Sequence, residues 1–332
     1  MCSSVAKTTV VHHAVSWSTR QKWHCPGWWC KHDAGPARPP SGGKRMAEPA
    51  ATLARRLWEA IEPLHAAPYF SPHHRRISLD LGMSGYWMGY FAGRAAPLGA
   101  MTAAPVESMF FSFPDRRVAR ALPEAWACAE PGTVLEARIT TARLVLADHL
   151  REVSRRDLDT LASYLEMAAD GCHFAGRPLA AGWSRVPRPD DVAAQLWLAA
   201  TVLREHRGDG HVIACVHAGL RGIDAVVAHA ATGTVTREMM QPNRGWSDEE
   251  WEASERRLRA RGLIDVGGRL TKSGGALRRS IEDRTDFLAA DPVTAVGQTG
   301  IEAIIAIAAP ISRRLFDTGA IPLPNPIGVP RP

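Results

Sequence analysis

Apolar residues recur at helical spacing through most of the chain after residue 45. In the stretch "TLARRLWEAIEPLH", Leu53, Leu57, Ile61 and Leu64 fall on one face of a helix. In the C-terminal half, the same period predicts helices at about 192–206, 210–219, 223–231, 236–241, 274–289 and 300–316. We therefore predict a mainly α-helical protein.

Interruptions of this pattern divide the chain into segments. The proline-rich stretch "RVPRPDD" at 185–191 is the strongest internal boundary. We predict an N-terminal helical bundle at 46–187 and a winged-helix domain with a C-terminal helix at 188–318. Residues 319–332 are then a tail, and residues 1–45 are an extension outside the fold.

The stretch "GWSDEEWEASERRLRARGLIDVGGRLTKSG" at 245–274 is the most informative part of the chain. Ser247 and Glu250 have the spacing of a capping box that starts a helix, and Gly262 ends that helix. "LIDV" and "RLT" then predict two short strands joined by Gly267-Gly268, followed by another helix. This order predicts a winged-helix unit with a short two-stranded wing.

The chain resembles the MarR-type winged-helix family over about residues 222–290, where a reading helix is followed by "GL(I/V)", a wing, "LT..G" and a long helix. Its body, about residues 47–316, also resembles a family of actinobacterial proteins described as MarR-like or helix-turn-helix. "EPLHAAPYF", "GYWMGYFAGRAAPLG", "REHRGDGH" and "RGWSDEEW" carry the second resemblance. The resemblances imply a homodimeric regulator that binds DNA and an unknown small molecule, with these candidate ligand-binding residues: His65, Arg94, Arg204 and Trp246.

Charge argues against a strong DNA contact. Residues 1–45 carry all of the net charge of +6, and the remaining chain has 33 basic and 33 acidic residues. The predicted reading helix presents several carboxylates outward near its start, where a reading helix usually approaches bases and phosphates; they are Asp248, Glu249, Glu252 and Glu255. The candidate DNA-binding residues are Arg256, Arg259 and, at the tip of the wing, Arg269.

The stretch "REHRGDGH" at 204–211 has two interpretations. In the first, Gly208 ends a helix and Asp209 caps the next one, so the polar groups have a structural purpose. In the second, His206, Asp209 and His211 are candidate catalytic residues in a pocket, with a histidine acting as acid or base. The second interpretation leaves open an enzyme or ligand-binding protein that reuses the scaffold.

Cysteine and histidine usage predicts neither a disulfide framework nor a metal site, and we expect no cofactor. Cys128, Cys172 and Cys215 lie far apart, which is typical of buried thiols in a reducing compartment. In "HCPGWWCKH", four potential zinc ligands fall within nine residues, whereas structural zinc sites usually combine two separated pairs. With no apolar run of 18 residues, we predict a cytoplasmic protein without a membrane partner.

Overall fold

The apolar stripe around Leu53 forms the buried face of the first helix in the computed structural model, which describes residues 48–332. Helices provide all the named regular structure of this part of the chain, so the mainly α fold class is confirmed. The helices are α1 Ala50–Phe70, α2 Pro72–Asp80, α3 Tyr86–Ala95, α4 Ala103–Met109, α5 Asp115–Ala119, α6 Ala125–Cys128, α7 Pro131–Leu150, α8 Arg155–Asp170, α9 Pro178–Trp183, α10 Val192–His217, α11 Gly222–Ala230, α12 Arg237–Arg244, α13 Asp248–Ala260, α14 Lys272–Leu288 and α15 Asp291–Asp317.

Two apolar cores organise these helices. The larger core lies among α1, α3, α7, α8, the first half of α10 and α15, and it buries Trp183 and Trp197 edge to face. The smaller core joins the end of α10 to α11, α12, α13 and α14 around Trp251 and Leu258. Because α10 contributes to both cores, it connects the N-terminal helices with the C-terminal unit.

Helix α10 is continuous from Val192 to His217, so the predicted break at Gly208 and the predicted cap at Asp209 are wrong. Gly210 allows a close approach between helices, since a Cβ there would lie 2.8 Å from the Arg177 guanidinium. Asp209 accepts a hydrogen bond from the backbone of Ala180, in the neighbouring helix α9. Packing between helices explains these residues better than local capping does.

The helix-wing-helix order is present, but the two strands are not. Ser247 and Glu250 form the predicted capping box of α13, and Gly262 has the positive φ expected beyond the end of that helix. Within residues 48–332, the wing is reduced to one antiparallel bridge between Ile264 and Leu270. The bridge consists of hydrogen bonds from the Thr271 amide to the Leu263 carbonyl and from the Asp265 amide to the Arg269 carbonyl. It extends no further because α14 begins at Lys272 on one side and a turn closes between Asp265 and Gly268 on the other.

The last helix returns to the N-terminal bundle. Helix α15 packs along α1 and α8, and it bends at Gly297, close to where the sequence predicted its start. By length and composition α15 could cross a membrane, and a third of its most apolar window is buried against the rest of the protein.

Cys172 and Cys215 are buried as predicted, whereas Cys128 is exposed. The potential zinc ligands of "HCPGWWCKH" lie outside the described residues.

Candidate functional site

Helices α12 and α13, joined by Gly245, Trp246 and Ser247, form the helix-turn-helix. Gly245 adopts a left-handed conformation that ends α12, and the capping box then starts α13. The inner face of α13 buries Trp251 and Leu258 against α11. The opposite face of α13, which would meet a DNA groove, is exposed.

Acidic side chains of α13 form ion pairs with arginines of α12 and of α13 itself. Asp248 pairs with Arg237 of α12 at 2.7 Å, and Glu255 with Arg259 at 2.9 Å. Arg256 lies 4.0 Å from Glu252. The α13 surface is therefore close to neutral rather than bare acid, and two of the three predicted DNA-binding arginines are held by carboxylates of their own helix.

Helix α5 places three further arginines beside the start of α13. Arg116 makes two hydrogen bonds of 2.6 and 2.7 Å with Glu250, while Arg117 lies 4.0 Å above the ring of Trp87. With Arg120, they line a surface pocket of about 290 Å³ whose lining residues include no carboxylate. Sequence analysis missed this patch, although the run "DRRVAR" after Pro114 was a visible signal.

Residues 109–117, which we call the 109–117 segment, hold the turn of the helix-turn-helix in place. The Trp246 indole donates to the Ser112 carbonyl at 3.1 Å, and Arg116 donates to the Gly245 carbonyl at 2.7 Å. The contact extends to α11, because a Cβ on Gly222 would lie only 1.6 Å from the Phe111 carbonyl oxygen. The position of the reading helix is thus tied to this segment.

Residues 109–112 of the 109–117 segment also line a cleft with a volume of about 330 Å³. The cleft lies between the N-terminal helices and the helix-turn-helix unit, with lining residues on α1, α3, α10, α11, α12 and α14. Four residues that the sequence predicted are brought together here: Arg94, Arg204, Asp209 and His211. Trp58, Phe110 and Phe111 supply aromatic surface.

A buried ion-pair network forms the floor of the cleft. Both Glu205 oxygens are bound by Arg94 at 2.9 to 3.1 Å, and Arg204 donates to one of them at 2.7 Å. Burial alone would raise the pKa of Glu205, but Arg204 and Arg94 hold it at about 2. Burial would also raise the pKa of Tyr90, yet the surrounding arginines lower it. The arginines therefore stabilise negative charge at Glu205 and Tyr90.

Two arginines of the helix-turn-helix unit face this cleft without a carboxylate partner among residues 48–332: Arg244 of α12 and Arg278 of α14. Arg244 donates to the Pro326 carbonyl at 3.2 Å and lies 4.9 Å from the ring of Phe113, but its Nε has no partner among the described residues. Burial lowers the pKa of Arg244. An anion entering the cleft would stabilise this charge. The sequence analysis did not single out either residue.

One of three comparisons with known proteins finds a family. The model of a helix-turn-helix family matches residues 54–322. The chain belongs to this helix-turn-helix family. No curated protein and no solved structure matches the chain.

The three candidate catalytic residues of this helix-turn-helix protein do not form one constellation. Asp209 and His211 line the cleft, whereas His206 pairs with Asp291 at 3.2 Å and lies edge-on to Phe174. Burial raises the pKa of Asp209 to about 6 and lowers that of His206 to about 4. His211 contacts Thr285 at 3.0 Å and Cys215 at 3.5 Å. Their catalytic role stays a prediction.

The remaining predicted residues lie apart from the cleft lining. His65 is fully buried and shares a hydrogen bond of 2.9 Å with Thr201 of α10. Trp246 belongs to the turn between α12 and α13, where it bonds to the 109–117 segment. Arg269 is exposed at the reduced wing, and its backbone amide bonds to Asp265. Their ligand- or DNA-binding roles stay predictions.

Proposed function

We propose that this protein is a MarR-like transcriptional regulator whose DNA contact is controlled by a small molecule in the cleft. One observation carries the proposal: the 109–117 segment lines the cleft and also bonds to the turn of the helix-turn-helix. A ligand that moves Phe110 or Phe111 would therefore move the anchor of the reading helix. The family membership supports DNA as the partner.

The cleft favours a small anion with an aromatic or apolar body. Arg244 and Arg278 are positioned to receive a carboxylate or phosphate group because they have no carboxylate partner in the described part of the chain. Trp58 and Phe110 provide apolar surface for the body of the ligand. A volume of about 330 Å³ is at the lower end of typical small-molecule sites.

The DNA contact relies on phosphates more than on bases. The exposed start of α13 carries Asp248 and Glu252, whose pairing with Arg237 and Arg256 leaves little net positive charge there to attract the duplex. Arg120 and Arg269 are exposed nearby and can approach the DNA backbone. We expect DNA affinity that falls steeply with salt, because release of counterions from phosphates supplies most of such binding.

Gel retardation of genomic fragments by the full chain at low salt tests the DNA activity. The proposal requires retardation that weakens in an Arg120→Ala/Arg269→Ala variant, with the salt slope reduced by about 1 for each lost phosphate contact. A matched variant, Arg76→Ala/Arg155→Ala, removes two exposed arginines of α2 and α8 and should bind as the parent does. Absence of retardation for the parent protein would exclude a DNA-binding function.

Ligand control is tested with benzoate and phenyl phosphate as probes, measured by calorimetry and by their effect on DNA retardation. Binding should weaken at least about tenfold in Arg244→Met, because one charge-assisted contact contributes about 1.5 to 3 kcal/mol. Arg143→Met, on the outer face of α7, is the control. Probe binding that leaves DNA retardation unchanged would support ligand binding without regulation.

A second candidate function is acid–base chemistry in the same cleft. Asp209 favours it, because its raised pKa of about 6 gives a carboxyl group that exchanges protons near neutral pH.

With the MarR-like assignment we also propose a cytoplasmic homodimer, which light scattering of the full chain would check. A monomer at micromolar concentration would contradict the homodimer.

A further inference from the structure

Arg138 of α7 is buried inside the N-terminal helices, away from the cleft lining. Its side chain is 4% exposed. It passes over Gly93 of α3, where a Cβ would lie 3.2 Å from the Arg138 Cδ. Gly93 thus leaves room for a guanidinium in a largely apolar interior.

None of the three guanidinium nitrogens of Arg138 has a hydrogen-bond partner among residues 48–332. Three rings surround the group, with centroids 4.3 Å away for Tyr69, 5.4 Å for Trp197 and 6.0 Å for Trp183. Such rings stabilise a cation through its face. They do not accept its N–H bonds, which lie in the guanidinium plane, so its donors still require an acceptor.

Further polar groups without a partner in this part of the chain lie beside Arg138: the Tyr69 hydroxyl, the Trp183 indole nitrogen, and Nε2 of His65 and of His74. The charge around Arg138 is not balanced locally, since the Glu205 carboxylate is already bound by Arg94 and Arg204. A buried cation without a counter-ion is costly. An anion would offset this cost.

A small cavity adjoins Arg138. Its volume is about 20 Å³, and Arg138, His74, Ser78 and Thr141 contribute to its lining. This space admits a single water or a monatomic ion but excludes sulfate or an organic acid. We propose that Arg138 binds a small inorganic anion of chloride size in this cavity, as a structural ion of the helical bundle.

Thermal unfolding of the full chain tests this site, with sodium chloride replaced stepwise by sodium gluconate at constant ionic strength. The unfolding temperature should rise by about 2 to 6 °C with chloride and then saturate, because the ion binds only the folded state. Bromide should give the same saturable rise as chloride, whereas sulfate should give no saturable rise. Arg138→Met should abolish the saturable rise, whereas Arg143→Met, a surface variant of the same helix, should keep it.

An equal response to chloride in the parent and Arg138→Met, or no response in the parent, would overturn the proposal. Crystals grown in bromide give a second measurement that does not depend on folding of the variant. An anomalous peak within hydrogen-bond distance of the Arg138 guanidinium supports an anion site. A density peak there without anomalous signal identifies water and refutes the anion.

Discussion

Helix α13 and the cleft use arginine in opposite ways. Along α13 the arginines face carboxylates of the same helix or of its neighbours, as in Arg259 with Glu255. In the cleft, Arg244 and Arg278 form no ion pair with a described carboxylate, because Glu62, Glu205 and Glu282, which also line the cleft, pair with other arginines. The number of arginines is therefore uninformative, and the presence or absence of an ion-pair partner for each arginine distinguishes the α13 surface from the cleft.

The largest effect should come from removing the buried carboxylate of Glu205 at the floor of the cleft. Glu205→Gln leaves Arg94 and Arg204 without their shared partner, and we expect a loss of about 3 to 5 kcal/mol in the free energy of unfolding. Urea denaturation measures it. Glu252→Gln, which breaks an exposed pair of α13, should cost less than about 0.5 kcal/mol.

If Glu205→Gln proved as harmless as Glu252→Gln, the distinction between a buried network and a self-paired surface would be lost. The two substitutions are chemically identical. Only the surroundings of the two glutamates differ.

A slightly smaller effect is expected where the two regions meet. Gly222→Ala places a methyl group against the Phe111 carbonyl and should displace the 109–117 segment, at a cost of about 2 to 3 kcal/mol. Gly132→Ala, in open space near the start of α7, should be neutral or stabilising. Denaturant unfolding compares the two variants. A neutral Gly222→Ala would show that the segment is not held against α11.

The cleft should respond to pH through Asp209. Its pKa is raised from 3.8 to about 6 in the folded state, so its contribution to stability is complete below pH 4 and is lost as the pH rises through 6. Asp209→Asn removes this loss and should be more stable than the parent at pH 8 by about 2 kcal/mol, with no advantage at pH 4. Unfolding experiments at both pH values decide it.

Histidines give the opposite pH dependence and must be separated from Asp209. Burial lowers the pKa of His74 to about 3 and those of His206 and His229 to about 4. Their contribution is present above pH 6.5 and is lost as the pH falls toward 4. The comparison of Asp209→Asn with the parent at each pH cancels this shared background.

The smallest stability change is expected at the contact between α5 and α13. Arg116→Ala breaks an exposed pair with Glu250 and should cost less than about 1 kcal/mol. DNA retardation should nevertheless weaken measurably, because the substitution also removes the hydrogen bond from Arg116 to the Gly245 carbonyl in the turn of the helix-turn-helix. Arg76→Ala, which breaks an exposed pair of α2, serves as the control. Unchanged DNA retardation would show that the contact between α5 and α13 does not contribute to DNA binding.

The sequence by itself determined the helical class, the inward face of α1, the capping box of Ser247 and the i,i+4 pairs of α13. These features depend on residues within about one or two turns of each other, where local geometry decides the outcome. It also identified Arg204, Asp209 and His211 in one motif and Arg94 in another, without showing that the two motifs meet.

Only the tertiary structure decided what those motifs do. It made α10 continuous through Gly208 because Asp209 and Gly210 contact neighbouring helices, and it bonded the wing, which is a single bridge, to Ala231 through the Leu270 amide. It also brought the α5 arginines to α13 and left Arg138 without a protein acceptor in the described chain. Hydrogen bonds and charges between residues distant in sequence set these outcomes, and no local pattern encodes them.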